Sequence, residues 1–241
     1  MKEQYYPLSY SSLKEFGKSP AHFIAYKNKE RTESAAMRFG TAVHSAVLEP
    51  EKFKAEYLTT DVRRGTKAHK ALMEENPEKS FLNGSDWFGI GRIKDNVQRN
   101  ELASDLLNHC DKIEQLVEGE IEGIPFRGFV DAMSSDYLVD LKTTKDGSER
   151  EFQRSAFNFK YYLQAAVYRE LTGVDDFWII TAENSAPYTI TPYLMSQSYL
   201  DRGYAELMKL ISDFKAWDGK AQGYTAKTDT EFFTLDAPTW A

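Results

Sequence analysis

Apolar and polar positions change period several times along the chain, and each change marks an element. Phe126–Met133 and Tyr137–Thr144 are rich in aromatic and β-branched residues and are separated by Ser134-Ser135-Asp136, which predicts an antiparallel hairpin. Lys112–Glu122 alternates as a strand and meets Phe126 through a tight turn at Gly123-Ile124. Asp176–Glu183 and Tyr188–Leu194 supply two further strands around Pro187. Helical period marks Ser34–Glu49, ended by Pro50, then Ile93–Leu107, Phe152–Leu171 and Ser198–Trp217. Nearer the start, Ser9, Ser11 or Ser12 caps a short helix through Leu13 and Phe16, and Ser19-Pro20 opens another. Glu56–Thr60 reads as a short strand, Arg63–Glu75 as a basic stretch with a helix, and Asn83–Gly91 as a flexible connection. The order of elements predicts a mixed α/β fold, a central mixed sheet flanked by helices. One domain spans 1–241, with an N-terminal helical region 1–110, a core 111–195, and a C-terminal helix and tail 196–241. That tail carries an apolar patch, Phe232-Phe233-Thr234-Leu235, suited to docking on its own core or on a neighbouring subunit.

The hairpin register carries the first chemical signal. If Met133 pairs with Leu138, Asp131 lies opposite Asp140, and both share a face with Lys142. Opposed carboxylates destabilise a sheet, and these sit among Met133, Leu138 and Phe129, which are core-type neighbours. A divalent cation with hard oxygen ligands would compensate, and Lys142 would then stand beside the nucleophile and the attacked phosphate. Asp-x-Lys alone is short and common, so a solvated hairpin with an exposed Asp140–Lys142 pair is the plain alternative. Glu114, Glu118 and Glu120 point to the face of Asp131 in the same register; one of them can join a metal shell, while Glu120 is placed to pair with Arg127.

Composition narrows the classes. At 241 residues, 41% hydrophobic and 14% aromatic, the chain can build one sizeable core. It lacks a long apolar run, and Met1–Pro7 lacks the order of a signal peptide, so a soluble cytoplasmic protein that does not enter membranes is expected. The lone Cys110 excludes an internal disulfide and a cysteine-rich cluster, and no P-loop pattern occurs. The net charge of −7 is unevenly spread: residues 1–72 hold thirteen Lys/Arg against eight Asp/Glu, leaving −12 for the remainder. Local basic surface governs phosphate contact. Arg31, Arg38, Arg63, Arg64, Lys67 and Lys70 are therefore candidates to follow a DNA backbone.

The pattern Asp131, Asp140, Lys142 on a hairpin, followed by Gln164 and Tyr168 on a helix, resembles the PD-(D/E)XK nuclease superfamily. Met37-Arg38-Phe39-Gly40-Thr41-Ala42-Val43-His44 with Leu48-Glu49-Pro50 looks like the G-x-x-x-H segment of its RecB-like branch. Leu8-Ser9-Tyr10-Ser11-Ser12-Leu13, Ser19-Pro20 and Arg64-Gly65-Thr66-Lys67-Ala68 are similar to the phage exonuclease VIII group, the nuclease part of RecE. Val130-Asp131 replaces the eponymous Pro-Asp, and the second acid is Asp140 rather than Glu; neither change removes a ligand. The resemblance implies a Mg²⁺-dependent exonuclease, with Mn²⁺ able to substitute, that degrades duplex DNA ends from 5′ to 3′ and leaves a 3′ single strand. It implies metal-ligand roles for His44, Asp131, Asp140 and the Leu141 backbone carbonyl, and the catalytic lysine role for Lys142. In that setting Gln164 holds a phosphate or water and Tyr168 positions it, although their stripe with Tyr161 and Ala165 equally suits core packing. Ser11 and Ser12 either cap their helix or hold a terminal phosphate. Glu49, five residues beyond His44, points elsewhere on the helix and is a weak candidate. A ring-like homo-oligomer and a single-strand annealing recombinase as partner are also implied only by the resemblance. An endonuclease, an enzyme of opposite polarity, or a non-catalytic DNA-binding accessory module are the alternatives.

Overall fold

Strong alternation near the middle of the chain produces one five-stranded sheet. The structure is a computed structural model that describes residues 2–29, 33–221 and 223. Its strands are β3 (Lys112–Ile121), β4 (Ile124–Met133), β5 (Tyr137–Thr144), β6 (Asp176–Glu183) and β7 (Ile190–Leu194), in spatial order β3-β4-β5-β6-β7. All neighbours are antiparallel except β5 and β6, which are parallel and therefore need a crossover. The helices α8 (Glu149–Asn158) and α9 (Tyr161–Thr172) make that crossover. The fold is the expected mixed α/β arrangement, a mixed sheet flanked by helices.

Each face of the sheet has its own core. On one face Val117, Ile121, Phe126, Leu138 and Phe177 pack against α1 (Tyr10–Phe16), α2 (Pro20–Asn28), α9 and α10 (Gln197–Ala216). An aromatic cluster of Phe16, Phe23, Phe214 and Trp217 joins the chain's beginning to the end of α10. On the other face Val139, Leu141, Ile180 and Ala182 meet α3 (Ala35–Leu48), α6 (Gly84–Arg99) and α7 (Glu101–Asn108). The side of α3 that enters this core is Ala42, Val43 and Ala46, whereas Met37 and Thr41 are exposed. Between α3 and α6 lies a small unit in which α4 (Pro50–Glu56) leads to β1 (Tyr57–Thr59), α5 (Lys67–Glu75) and β2 (Ser80–Leu82), with β1 and β2 parallel.

Three expectations are corrected. Phe152–Leu171 is two helices, because Lys160 adopts a left-handed φ of 57° that stops one and starts the other at a new angle. Asn83–Gly91 is not a flexible connection: the Asn83 side chain caps α6 by accepting from the Asp86 amide, and Gly89, Ile90, Ile93 and Val97 form its buried stripe. The run to Leu107 breaks at Asn100, whose side chain caps α7. Arg31 and Phe232–Leu235 lie outside the described residues. Among the described residues, no helix is long and apolar enough to cross a membrane.

Candidate active site

The β3–β4 hairpin changes face at one level, and the site is built there. Val117, Ile121, Ile124, Phe126 and Val130 face the α9 side, whereas Ala132 lies in the opposite core and Ile113 packs against it. The register itself continues unshifted, from Gln115↔Val130 to Ile113↔Ala132. Side chains alternate strictly along a regular strand, so the pair between those two, Glu114 and Asp131, must reset the alternation. Glu114 does so at a φ of 47°, a conformation that costs a non-glycine residue energy. Both carboxylates consequently reach the α3 side, where His44 Nδ1 stands 3.5 Å from Asp131 Oδ2 and 3.8 Å from Glu114 Oε1.

Met133 pairs with Leu138 as the register required, but the β4–β5 ladder ends at Ala132↔Val139. Asp131 and Asp140 therefore do not face each other as a cross-strand pair. Where the strands part, the Leu141 amide needs an acceptor, and Asp131 Oδ2 supplies it at 2.7 Å. Asp140 turns instead to the α9 side. Its Oδ1 accepts from Gln164 Nε2 at 2.7 Å, and its Oδ2 lies 2.6 Å from Lys142 Nζ, a charge contact without the alignment of a hydrogen bond. The Lys142 ammonium also sits 5.0 Å above the centre of the Tyr161 ring. Phe129, expected among the core neighbours, is 56% exposed.

Burial sets the charge states. Burial first, and the nearby Asp140 second, push the Asp131 carboxyl up to about 7. Burial alone would lower His44, but Asp131 and Glu114 outweigh it and leave the imidazole raised. For Lys142 the burial penalty is likewise overcome, by Asp140 and then Asp131, so its ammonium stays charged above the usual lysine range. Burial and then Asp140 raise the Tyr168 phenol. Lys142 is therefore held as a positive charge among these carboxylates.

The arrangement has the donors of a metal site. His44, Glu114 and Asp131 each offer a ligand atom within 4.8 Å of the others. Two carboxylates and an imidazole suit a hard divalent cation, and a buried carboxylate that ionises only near pH 7 is one that such a cation would relieve. The residues fit. Asp140 stands apart from that trio, held by Gln164 and Lys142, and Leu141 touches the site through its amide.

A family model described as "PDDEXK-like domain of unknown function (DUF3799)" matches residues 9–223. The chain belongs to this family. Within the PDDEXK-like fold, one similar crystal structure is that of a protein from Eubacterium rectale provisionally described as an exonuclease. It has a TM-score of 0.59 at 18% identity, covering 90% of this chain and 86% of that one. LHK-Exo from Laribacter hongkongensis, solved with dAMP, has a TM-score of 0.40 at 12% identity, covering 89% and 91%. A phage-related exonuclease from Haemophilus somnus 129PT has a TM-score of 0.34 at 12% identity, covering 72% and 91%. At these identities the likeness is one of fold. No curated protein matches the chain.

The PDDEXK-like core brings together His44, Asp131, Asp140, Leu141, Lys142, Gln164 and Tyr168. Of the three glutamates, Glu114 joins the site, while Glu118 and Glu120 are exposed and Arg127 lies opposite Glu118, not Glu120. Glu49 lines a cavity of about 310 Å³ beside His44, with its carboxylate held by Lys52 at 2.8 Å. Ser12 is buried and completes a capping box with Ser9, so its hydroxyl is committed to the helix; Ser11 is half-buried. Arg38, Arg63 and Arg64 line a second cavity, and Lys67 is exposed on α5. The Lys142–Tyr161 contact was missed, although Tyr161 falls three residues before Gln164 on the same helix and offered the signal.

Gly128 holds the far wall. A Cβ there would meet the Tyr168 ring, with Cζ at 3.2 Å, the hydroxyl at 3.3 Å and Cε1 closer still. Gly128→Ala is expected to push α9 from the hairpin, costing about 1–3 kcal/mol of stability by overpacking. A urea midpoint unchanged from wild type would contradict this contact.

Proposed function

We propose that this chain is a metal-dependent deoxyribonuclease, a processive 5′-to-3′ exonuclease on duplex DNA ends that leaves 3′ single strands for recombination. The observation that carries the nuclease reading is the buried Asp131 carboxylate, gathered with Glu114 and His44 beside the Lys142 ammonium. A binding surface for DNA gains nothing from carboxylates that repel phosphate, whereas a hydrolytic site needs them. Mg²⁺, or Mn²⁺ in its place, would be held by Asp131, Glu114 and His44, to which the resemblance alone adds Asp140 and the Leu141 carbonyl, and would supply Lewis-acid stabilisation of the scissile phosphate and its attacking water.

The protein groups divide the remaining work. Lys142 places positive charge where the phosphorane-like transition state gains negative charge. Asp140 holds that ammonium in place, and the Tyr161 ring supports it from below. Gln164 orients Asp140 through its amide and keeps its own oxygen for a water or a phosphate-bound proton. Tyr168, packed on Gly128, fixes the height of α9 and with it the position of Gln164. Polarity, the ring-like homo-oligomer and an annealing recombinase as partner rest on the resemblance to the exonuclease VIII group.

The test is nucleotide release from linear duplex labelled at each 5′ end, alongside covalently closed circles, with Mg²⁺ or with EDTA. Loss of the 5′ label from linear DNA, with circles intact, is expected. Cutting of circles would convert the reading to an endonuclease. A folded chain that binds duplex yet cleaves no DNA with Mg²⁺ or Mn²⁺ would leave only the accessory role.

A further inference from the structure

The geometry points to a binding site for single-stranded nucleic acid in the cleft between α3, α5 and the β1–β2 pair; only the source of that strand depends on the nuclease reading. The cleft holds about 570 Å³. That is the scale of about one to a few nucleotides, inside the roughly 300–1,000 Å³ range of enclosed ligand sites, and too small for a duplex.

Its walls carry four cations against three carboxylates, and among the described residues no ion pair occupies the cations. Arg38 comes from α3, Arg63 and Arg64 from the segment between β1 and α5, and Lys79 from the approach to β2. Glu33, Asp61 and Asp86 line the same cleft, yet among the described residues none of these four cations is in an ion pair. Arg38 Nη1 donates to the Glu33 backbone carbonyl at 2.9 Å, and Lys79 Nζ to the carbonyl of Ala55. A guanidinium bound only to a carbonyl keeps donors for a phosphate.

The floor is aromatic. Phe39, Tyr57, Phe81 and His69 line it, with His69 buried and edge-on to Phe81 at 6.1 Å. Tyr57 stacks on Phe53 at 4.8 Å, and Phe53 on Trp87 at 5.3 Å, so the Tyr57 ring is held rigidly. A positively charged groove combined with aromatic faces on which bases stack is the recurring means of holding a single strand without reading its sequence.

The cleft also borders the cavity at the proposed active site. Thr41 and Tyr57 line both it and the cavity that contains His44 and Glu114. A strand whose phosphate sits at His44 therefore has a cationic, stacking path leading away over α3. The sequence singled out Arg38, Arg63 and Arg64 as backbone contacts, but not that they share one cleft with Tyr57 and Phe81, because the cleft is assembled from separated segments.

The test uses the full chain in EDTA, where a metal-dependent enzyme does not cut. Affinity for a fluorescein-labelled oligo(dT) of about ten nucleotides is measured by anisotropy across a salt series. Arg63→Ala/Arg64→Ala is expected to flatten the slope of log K against log salt by about 1.4, from two contacts at about 0.7 each. Arg63→Lys/Arg64→Lys should restore most of that slope, which excludes a folding defect as the cause. Blunt duplex should lose affinity much less. An unchanged slope, or an equal loss for blunt duplex, would overturn the proposal. The two readings fail separately: a flattened slope in a chain that cleaves nothing keeps the cleft and removes the nuclease, whereas normal cleavage with an unchanged slope removes the cleft alone.

Discussion

Replacing Lys142 by alanine lowers metal-dependent DNA hydrolysis by roughly 10²–10⁴-fold, with duplex affinity in EDTA changed only a few-fold. The expectation follows from the state of its ammonium. Asp140 at 2.6 Å and the Tyr161 ring at 5.0 Å fix its position, and the two aspartates hold it charged despite burial. A preorganised charge of this kind acts on the transition state and not on ground-state binding, so kcat should fall far more than KM rises. Truncation leaves Asp140 buried without its cation, which itself destabilises. Lys142→Gln, whose amide offers Asp140 a neutral donor in place of the ammonium, separates the two effects: it should recover part of the stability without recovering activity. Activity within about threefold of wild type in either variant, against the loss expected for a transition-state donor, would remove Lys142 from the chemistry.

The second large effect is on stability and has the opposite sign. Asp131 is raised in the fold to about 7 from an ordinary value of 3.8. A group raised on folding contributes stability that is complete below the unfolded value and is lost as pH rises to the folded one. The metal-free protein should therefore weaken between about pH 4 and pH 7, by up to about 4 kcal/mol before neighbouring charges readjust. Asp131→Asn removes that penalty and retains a carbonyl oxygen for the Leu141 amide. In EDTA at pH 8 it should melt several degrees above wild type, since about 1 kcal/mol shifts a domain of this size by roughly 2–4 °C. Mg²⁺ or Mn²⁺ should raise the melting temperature of the wild type and leave Asp131→Asn nearly unmoved. An asparagine variant less stable than wild type at pH 8 in EDTA would show that Asp131 is not held at a cost.

Much of this was legible in residue order. Binary alternation located β3 to β7 within a residue or two, and the Met133–Leu138 register was correct. The bounds of α3 and α10 followed from Ser34, Pro50 and apolar spacing. Local chemistry misled where two signals competed. The glycines of Asn83–Gly91 suggested a loop, but a side-chain cap and burial against α3 outweighed their low helix propensity. The Phe152–Leu171 period concealed a break that a single left-handed residue imposes.

Sequence alone therefore determined the fold class and nominated residues for a site, because side-chain period and motif spacing are local properties that each segment carries with it. Only the tertiary structure decided how those residues divide. It sent Asp131 and Glu114 to the α3 side with His44, and it sent Asp140 to the α9 side with Lys142 and Gln164. That division depends on a pleat reset at Glu114 and on the parting of β4 from β5 beyond Ala132↔Val139. Neither has a local signature, since both arise from packing the two sheet faces against different helices, and the free energy of such packing belongs to contacts between segments far apart in the chain.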